Sequence, residues 1–204
     1  MRIRFTTRTV FSTFMIATFL IGLAWSVVSG KFISWFPALI SNPPFRRELS
    51  LDIVRPDAAF DPVVANKNVY DAVGVYTATG KHVTLNASKH PILFEAYWCP
   101  HCQRTLVMLN QYQGSLAKRP ILVSMGFQFN TTLRAAVSLE NSELKAFHIH
   151  GFKVYYLLDP NQKRYVPYKY PTLVFDHNGM LQMLYGEHVL SAWKEALANS
   201  NVRT

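Results

Sequence analysis

Only two cysteines occur among the 204 residues, at Cys99 and Cys102. A disulfide-stapled secreted scaffold spreads its cysteines along the chain, so that class is excluded. A structural zinc site normally takes four ligands, which this pair does not supply. With no third cysteine, an exposed redox pair cannot mispair within the chain. Acidic residues are scarce early on: none precedes Glu48, whereas Arg2, Arg4 and Arg8 open the chain, and the formal net charge is +9. No dense basic block follows, which argues against a nucleic-acid partner. The modest excess suits anionic lipid, cell-wall polymer or plain solubility. Internal repeats and low-complexity stretches are also missing. Half of the residues are hydrophobic, so a packed core is expected rather than disorder.

Val10–Val28 contains no charge, and its length approaches the roughly 20 residues a helix needs to cross a bilayer. Arg2, Arg4 and Arg8 outweigh Lys31 on the far side, which predicts a cytoplasmic N-terminus and an outward-facing remainder. Trp25 and Trp35 suit the outer interface. Residues 1–30 therefore read as a signal-anchor with one transmembrane helix. A cleaved secretory signal is the alternative, with Val27/Ser29 and Val28/Gly30 as weak cleavage pairs. No cysteine lies nearby, so a lipoprotein anchor is excluded.

Residues 31–67, punctuated by Pro37, Pro43, Pro44, Pro56 and Pro62, are expected to form a stalk ahead of a globular domain over 68–204. Val75–Leu85 predicts two short strands about Thr79-Gly80, and His90–Tyr97 a buried strand. A helix is expected from about Cys99 to Leu116, then a strand over Pro120–Gly126. Thr132 to about His148 predicts a helix with Leu133, Val137, Leu144 and Phe147 on one face. Tyr170–Asp176 and Met180–Tyr185 flank an Asn178-Gly179 turn, and His188–Ala198 predicts a closing helix. This order gives an α/β domain with a mixed sheet flanked by helices.

The chemistry centres on Trp98-Cys99-Pro100-His101-Cys102, where a strand ends and a helix begins. Unpaired amides at a helix start carry partial positive charge and stabilise an anion, so Cys99 is the expected thiolate. Pro100 costs nothing at a first helical position. His101 adds stabilisation by charge or hydrogen bond. Cys102 lies one turn further, where it can close a Cys99–Cys102 disulfide. The rival reading is a metal half-site completed by histidines such as His82, His90, His148, His150 or His177. It is the weaker of the two, and no metal is assigned.

With Tyr170-Pro171-Thr172 downstream, the chain resembles the thioredoxin superfamily over about Val75–Ala198. In that superfamily a cis-proline opens the strand facing the redox pair. The leading hairpin, Phe94-Glu-Ala-Tyr-Trp-Cys99 and the Pro171–Leu181 run look most like the membrane-anchored TlpA/ResA-like group, whereas Cys-Pro-His-Cys itself looks like DsbA-type oxidases. The resemblance implies a thioredoxin-like fold with an N-terminal hairpin extension. It implies catalysis by Cys99, Cys102, His101 and Pro171, support from Pro100 and Trp98, and substrate contact through Tyr170 and Thr172. Relatives carry a buried carboxylate six residues before the first cysteine. Leu93 stands there, and Glu95, on the same strand face, is the substitute proton acceptor for Cys102 or else a paired or partly exposed strand-end residue. The tyrosines Tyr155, Tyr156, Tyr165, Tyr168 and Tyr170 read either as packing or as a groove lining.

The implied activity is extracytoplasmic protein thiol–disulfide exchange without a cofactor, leaning to oxidation or isomerisation. Reduction, as of apocytochrome c cysteines, is the alternative, and a non-enzymatic redox-sensing module is a rival of another class. The expected partners are protein thiols and disulfides, and a membrane redox protein that recycles the pair.

Overall fold

In the computed structural model, residues 55–198 are described. The expected membrane segment at 1–30 and most of the expected stalk lie outside them. Among the described residues no helix is long and apolar enough to cross a membrane.

Eight strands of the described residues form one sheet: β1 (Val63–Val64), β2 (Val73–Tyr76), β3 (His82–Leu85), β4 (Ile92–Glu95), β5 (Ile121–Ser124), β6 (Val154–Tyr156), β7 (Thr172–His177) and β8 (Met180–Tyr185). Their spatial order is β1-β8-β7-β4-β5-β6-β2-β3. Among the described residues the helices are α1 (Lys67–Tyr70), α2 (Pro100–Gln111), α3 (Leu133–Ala146) and α4 (Leu190–Ala198). β4, β5 and β6 run parallel, and β7 pairs antiparallel with β4, Leu93 opposite Leu173. The Asn178-Gly179 turn joins β7 to β8 with φ of 56° and 85°, the left-handed pair that a tight hairpin turn requires.

Strand alternation divides the core. On one face Leu93, Leu122, Leu173, Phe175 and Leu184 pack against Leu106 and Leu109 of α2 and Trp193, Ala196 and Leu197 of α4. α3 adds Leu144 to the same cluster. Both parallel crossovers, through α2 and through α3, step the same way across the sheet. Right-handed connections therefore place both helices on one face. Among the described residues, the other face meets no helix longer than α1. Aromatic rings cover it instead: Phe94 stacks on Tyr165 at 5.7 Å, Tyr70 packs on Phe94, and the Tyr70 hydroxyl donates to the Tyr165 carbonyl at 3.0 Å. Tyr156 and Tyr165 are thus core residues, whereas Tyr168 is exposed.

Three elements differ from expectation. Residues 55–67 belong to the domain rather than to a stalk. β1 pairs with β8, the Asp57 amide donates to the Glu187 carbonyl at 2.8 Å, and Phe60 packs on Phe175. α2 stops at Gln111 rather than Leu116, and a short turn over Gln113–Ser115 follows. α3 is rotated from the expected face: its fully buried line is Ala136, Glu140 and Glu143, while Leu133, Val137, Leu144 and Phe147 flank it half-buried.

Candidate active site

β4 ends at Glu95, and the chain turns through Ala96-Tyr97-Trp98 into α2. Cys99 is the N-cap, with an extended backbone, and Pro100 follows at the helix start. The Cys99 amide donates to the Ala96 carbonyl at 2.8 Å, which closes the turn. Both cysteines are free thiols, so the pair stands in its dithiol form. Cys99 keeps 6% of its surface exposed and Cys102 none. A partner sulfur can therefore reach only Cys99.

The two thiols differ in acidity because their surroundings differ. The Cys102 thiol donates to the Cys99 sulfur, and this is the largest influence holding Cys99 down to about 6. Backbone amides of Cys102 and His101 and the His101 charge act the same way, against the opposing effect of burial. Burial, then the Cys99 anion, push the Cys102 thiol well above its ordinary range. The Ala96 amide donates weakly to Cys102 Sγ at 3.4 Å.

The Tyr170–Pro171 bond is cis. Tyr170 packs against Cys99, Cys102 and Ala96, with the Trp98 ring edge-on at 6.0 Å. The Pro171 carbonyl accepts from Gly186 N at 2.7 Å, and Thr172 lies opposite Phe94 in the sheet. Trp98 Nε1 donates to the Gly126 carbonyl at 2.9 Å. Trp98, Cys99, Cys102, Tyr170 and the cis-proline thus converge. Thr172 is fully buried, and its hydroxyl donates back to the Lys169 carbonyl at 2.8 Å. Its side chain is therefore closed to substrate, contrary to the contact expected of it. The mouth beside the pair is a groove lined by His101, Lys169, Tyr170, Glu187 and the segment Arg55–Ala58.

Glu95 is fully buried, which removes the exposed strand-end alternative. It meets Glu140 and Glu143 of α3, with carboxylate oxygens of all three within 4.8 Å of one another. The Ser124 hydroxyl donates to Glu140 Oε2 at 2.6 Å. Burial raises all three; repulsion from neighbouring carboxylates adds to the rise at Glu95 and at Glu143, which reaches about 10, whereas hydrogen bonds from Ser124 and Glu95 pull Glu140 part of the way back. Three carboxyls in so small a dry space cannot all ionise, so the cluster holds protons at neutral pH. The other convergence of ligand-type side chains among the described residues is Asp57, Asp61 and His188. Neither group includes a cysteine.

Several site residues escaped the sequence reading. Arg104 stands three residues after His101, one turn along the same helix, a spacing that was legible. Glu140 and Glu143 sit on the buried face of α3, a departure from the helix's apolar pattern that is visible in the sequence. Glu187 lies 86 positions beyond His101 and offered no local signal.

No protein-family model matches the chain, and no curated protein matches it. Solved structures similar to it include a secreted Mycobacterium tuberculosis disulfide oxidoreductase homologous to E. coli DsbE, 16% identical, TM-score 0.46, covering 62% of this chain and 95% of that one. StoA from Bacillus subtilis is 18% identical, TM-score 0.43, covering 62% and 96%. A thio-disulfide isomerase from Thermus thermophilus is 14% identical, TM-score 0.45, covering 74% and 100%. The parallel β4–α2–β5 unit with Cys-x-x-Cys at its turn, and the β7–β8 hairpin opened by a cis-proline and closed by α4, give the described domain a thioredoxin-like fold.

Proposed function

We propose that this chain is a protein thiol–disulfide oxidoreductase working through Cys99 and Cys102. The observation that carries the reading is Cys99 itself: slightly exposed, at a helix start, packed beside the cis-proline strand, and acidic because a buried thiol donates to it. In the oxidising direction a substrate thiolate attacks Cys99 Sγ of the Cys99–Cys102 disulfide. The Cys99–Cys102 bond breaks, Cys102 departs with the electron pair and takes up a proton, and a mixed disulfide remains at Cys99. A second substrate thiolate attacks the substrate sulfur and expels Cys99 as thiolate. The substrate is oxidised by two electrons and the pair is reduced. In the reverse direction Cys102 gives up that proton, and Glu95 is the member of the carboxyl cluster whose charge acts on Cys102.

The direction we favour is oxidation or isomerisation. An acidic Cys99 stabilises the dithiol form, and a stabilised dithiol makes an oxidant, as in DsbA at about −120 mV against about −270 mV for thioredoxin. The second reading is reduction of extracytoplasmic disulfides, as of apocytochrome c. The inserted α3–β6 segment between α2 and the cis-proline, a feature of the TlpA/ResA-like arrangement, favours it. Val10–Val28 and the three preceding arginines support a single-pass anchor in the cell membrane with the domain outside the cytoplasm, recycled by a membrane redox protein.

The test uses the full chain in detergent with reduced, unfolded ribonuclease and with insulin as substrates. Exchange should occur with the parent, a mixed disulfide should accumulate with Cys102→Ser, and Cys99→Ser should be inert. Equal activity of Cys99→Ser would refute the reading. Resistance to a carbonate wash tests the anchor, and a soluble mature form starting near Gly30 would remove it.

A further inference from the structure

His101 is not held by its own helix alone. Its Nδ1 lies 2.9 Å from Glu187 Oε2, on the loop after β8. Glu187 is itself gripped by Arg104, with Nε at 2.9 and 3.0 Å from Oε1 and Oε2 and Nη2 at 2.6 Å from Oε2. Arg104 Nη2 also lies 3.0 Å from His101 Nδ1. A carboxylate only accepts and a guanidinium only donates, so the two neighbours demand opposite states of Nδ1. Arg104 already spends three contacts on Glu187, and the carboxylate is the stronger claimant. The proton is therefore assigned to Nδ1, which donates to Oε2.

The Glu187 side chain is 7% exposed, whereas that of His101 is 40% exposed. An imidazole this open would sample several rotamers if nothing fixed it. The brace is in turn fixed by backbone: Gly186 N donates to the Pro171 carbonyl and Asp57 N to the Glu187 carbonyl. Arg55, Asp57 and Lys169 are the other charged groups around the same groove.

We propose that Glu187 is a positioning residue for the redox pair: braced by Arg104, its carboxylate holds the His101 imidazole where it stabilises the Cys99 thiolate. The inference rests on Cys99 acting as a thiolate and is independent of the direction of exchange.

The sign of one measurement decides it. Deleting Glu187 removes a negative charge from the groove beside Cys99, which, acting directly on the sulfur, favours the thiolate and lowers the Cys99 titration. Loss of His101 positioning works the opposite way. The experiment is a thiolate absorbance titration of the reduced full chain in detergent. Glu187→Ala should raise the Cys99 midpoint by about one pH unit, a roughly tenfold loss of thiolate below the midpoint. Glu187→Gln keeps one accepting oxygen and should raise it by less, and it carries the test if Glu187→Ala does not fold. In a His101→Ala background the upward shift should vanish. An unchanged or lowered midpoint in both Glu187 variants overturns the inference, as does an equal rise without His101. A parent Cys99 that titrates at the free-thiol value of about 8.5 would instead overturn the proposed function.

Discussion

Cys99 and Cys102 carry the same side chain one helical turn apart, and their acidities move in opposite directions. The cause is position: one caps the helix and receives donors, the other lies inside and is sealed. Gly126 shows how closely the surroundings are fitted. Its φ is +75°, and a Cβ there would come within 3.0 Å of Ala96 Cβ and 3.2 Å of the Tyr170 hydroxyl. Gly126→Ala should cost about 1–2 kcal/mol through the left-handed backbone and push Tyr170 off the redox pair. Thermal unfolding checks the first effect. A fall in exchange rate greater than that of an equally destabilising core variant checks the second. The pair and the proline were legible in sequence because helix-start electrostatics and the Tyr170-Pro171-Thr172 motif are local. Glu187 and Gly126 were not, because only folding brings them to α2 and β4.

At the scale of elements, long periodic segments were readable and short ones were not. β6 has three residues and β1 two, too few for alternation to register, and both are set by pairing with distant strands. The face of α3 was misread because Glu140 and Glu143 look like solvent-facing residues. Their place against Glu95 is fixed by the crossover from β5 to β6. Glu143→Leu should therefore stabilise the domain, by about 1–3 kcal/mol at pH 7, since an unpaired buried carboxyl is replaced by apolar volume. A raised carboxyl contributes stability below its unfolded value and loses it as pH climbs through its folded one. The gain from Glu143→Leu should accordingly grow between about pH 4.5 and about 10, and urea unfolding across that range checks it. The lead-in before α1 is the other correction. A chain beginning at residue 68 should be less stable than one beginning at 55 by about 1–2 kcal/mol from Phe60 alone, as comparative melting would show.

For the whole molecule, the sheet carries its long helices on one face and aromatic rings on the other. The redox turn lies at the end of β4, between the cis-proline strand and the groove beside residues 55–58. Its consequence for stability depends on redox state and pH together. Cys99 titrates at about 6 in the folded reduced form and at about 8.5 when unfolded. The thiolate's contribution is therefore full above about pH 8.5 and is lost as pH falls through 6. The carboxyl cluster belongs to both redox forms and largely cancels between them. The raised Cys102 thiol opposes this contribution only above about pH 8.5. The most direct measurement is the difference in unfolding free energy between the reduced and oxidised full chain from pH 5 to 8.5. The difference should be flat below about pH 6 and then move in favour of the reduced form by on the order of 3 kcal/mol at pH 8.5. A difference that does not change with pH across that window would contradict an acidic Cys99, and with it the exchange chemistry assigned to the pair.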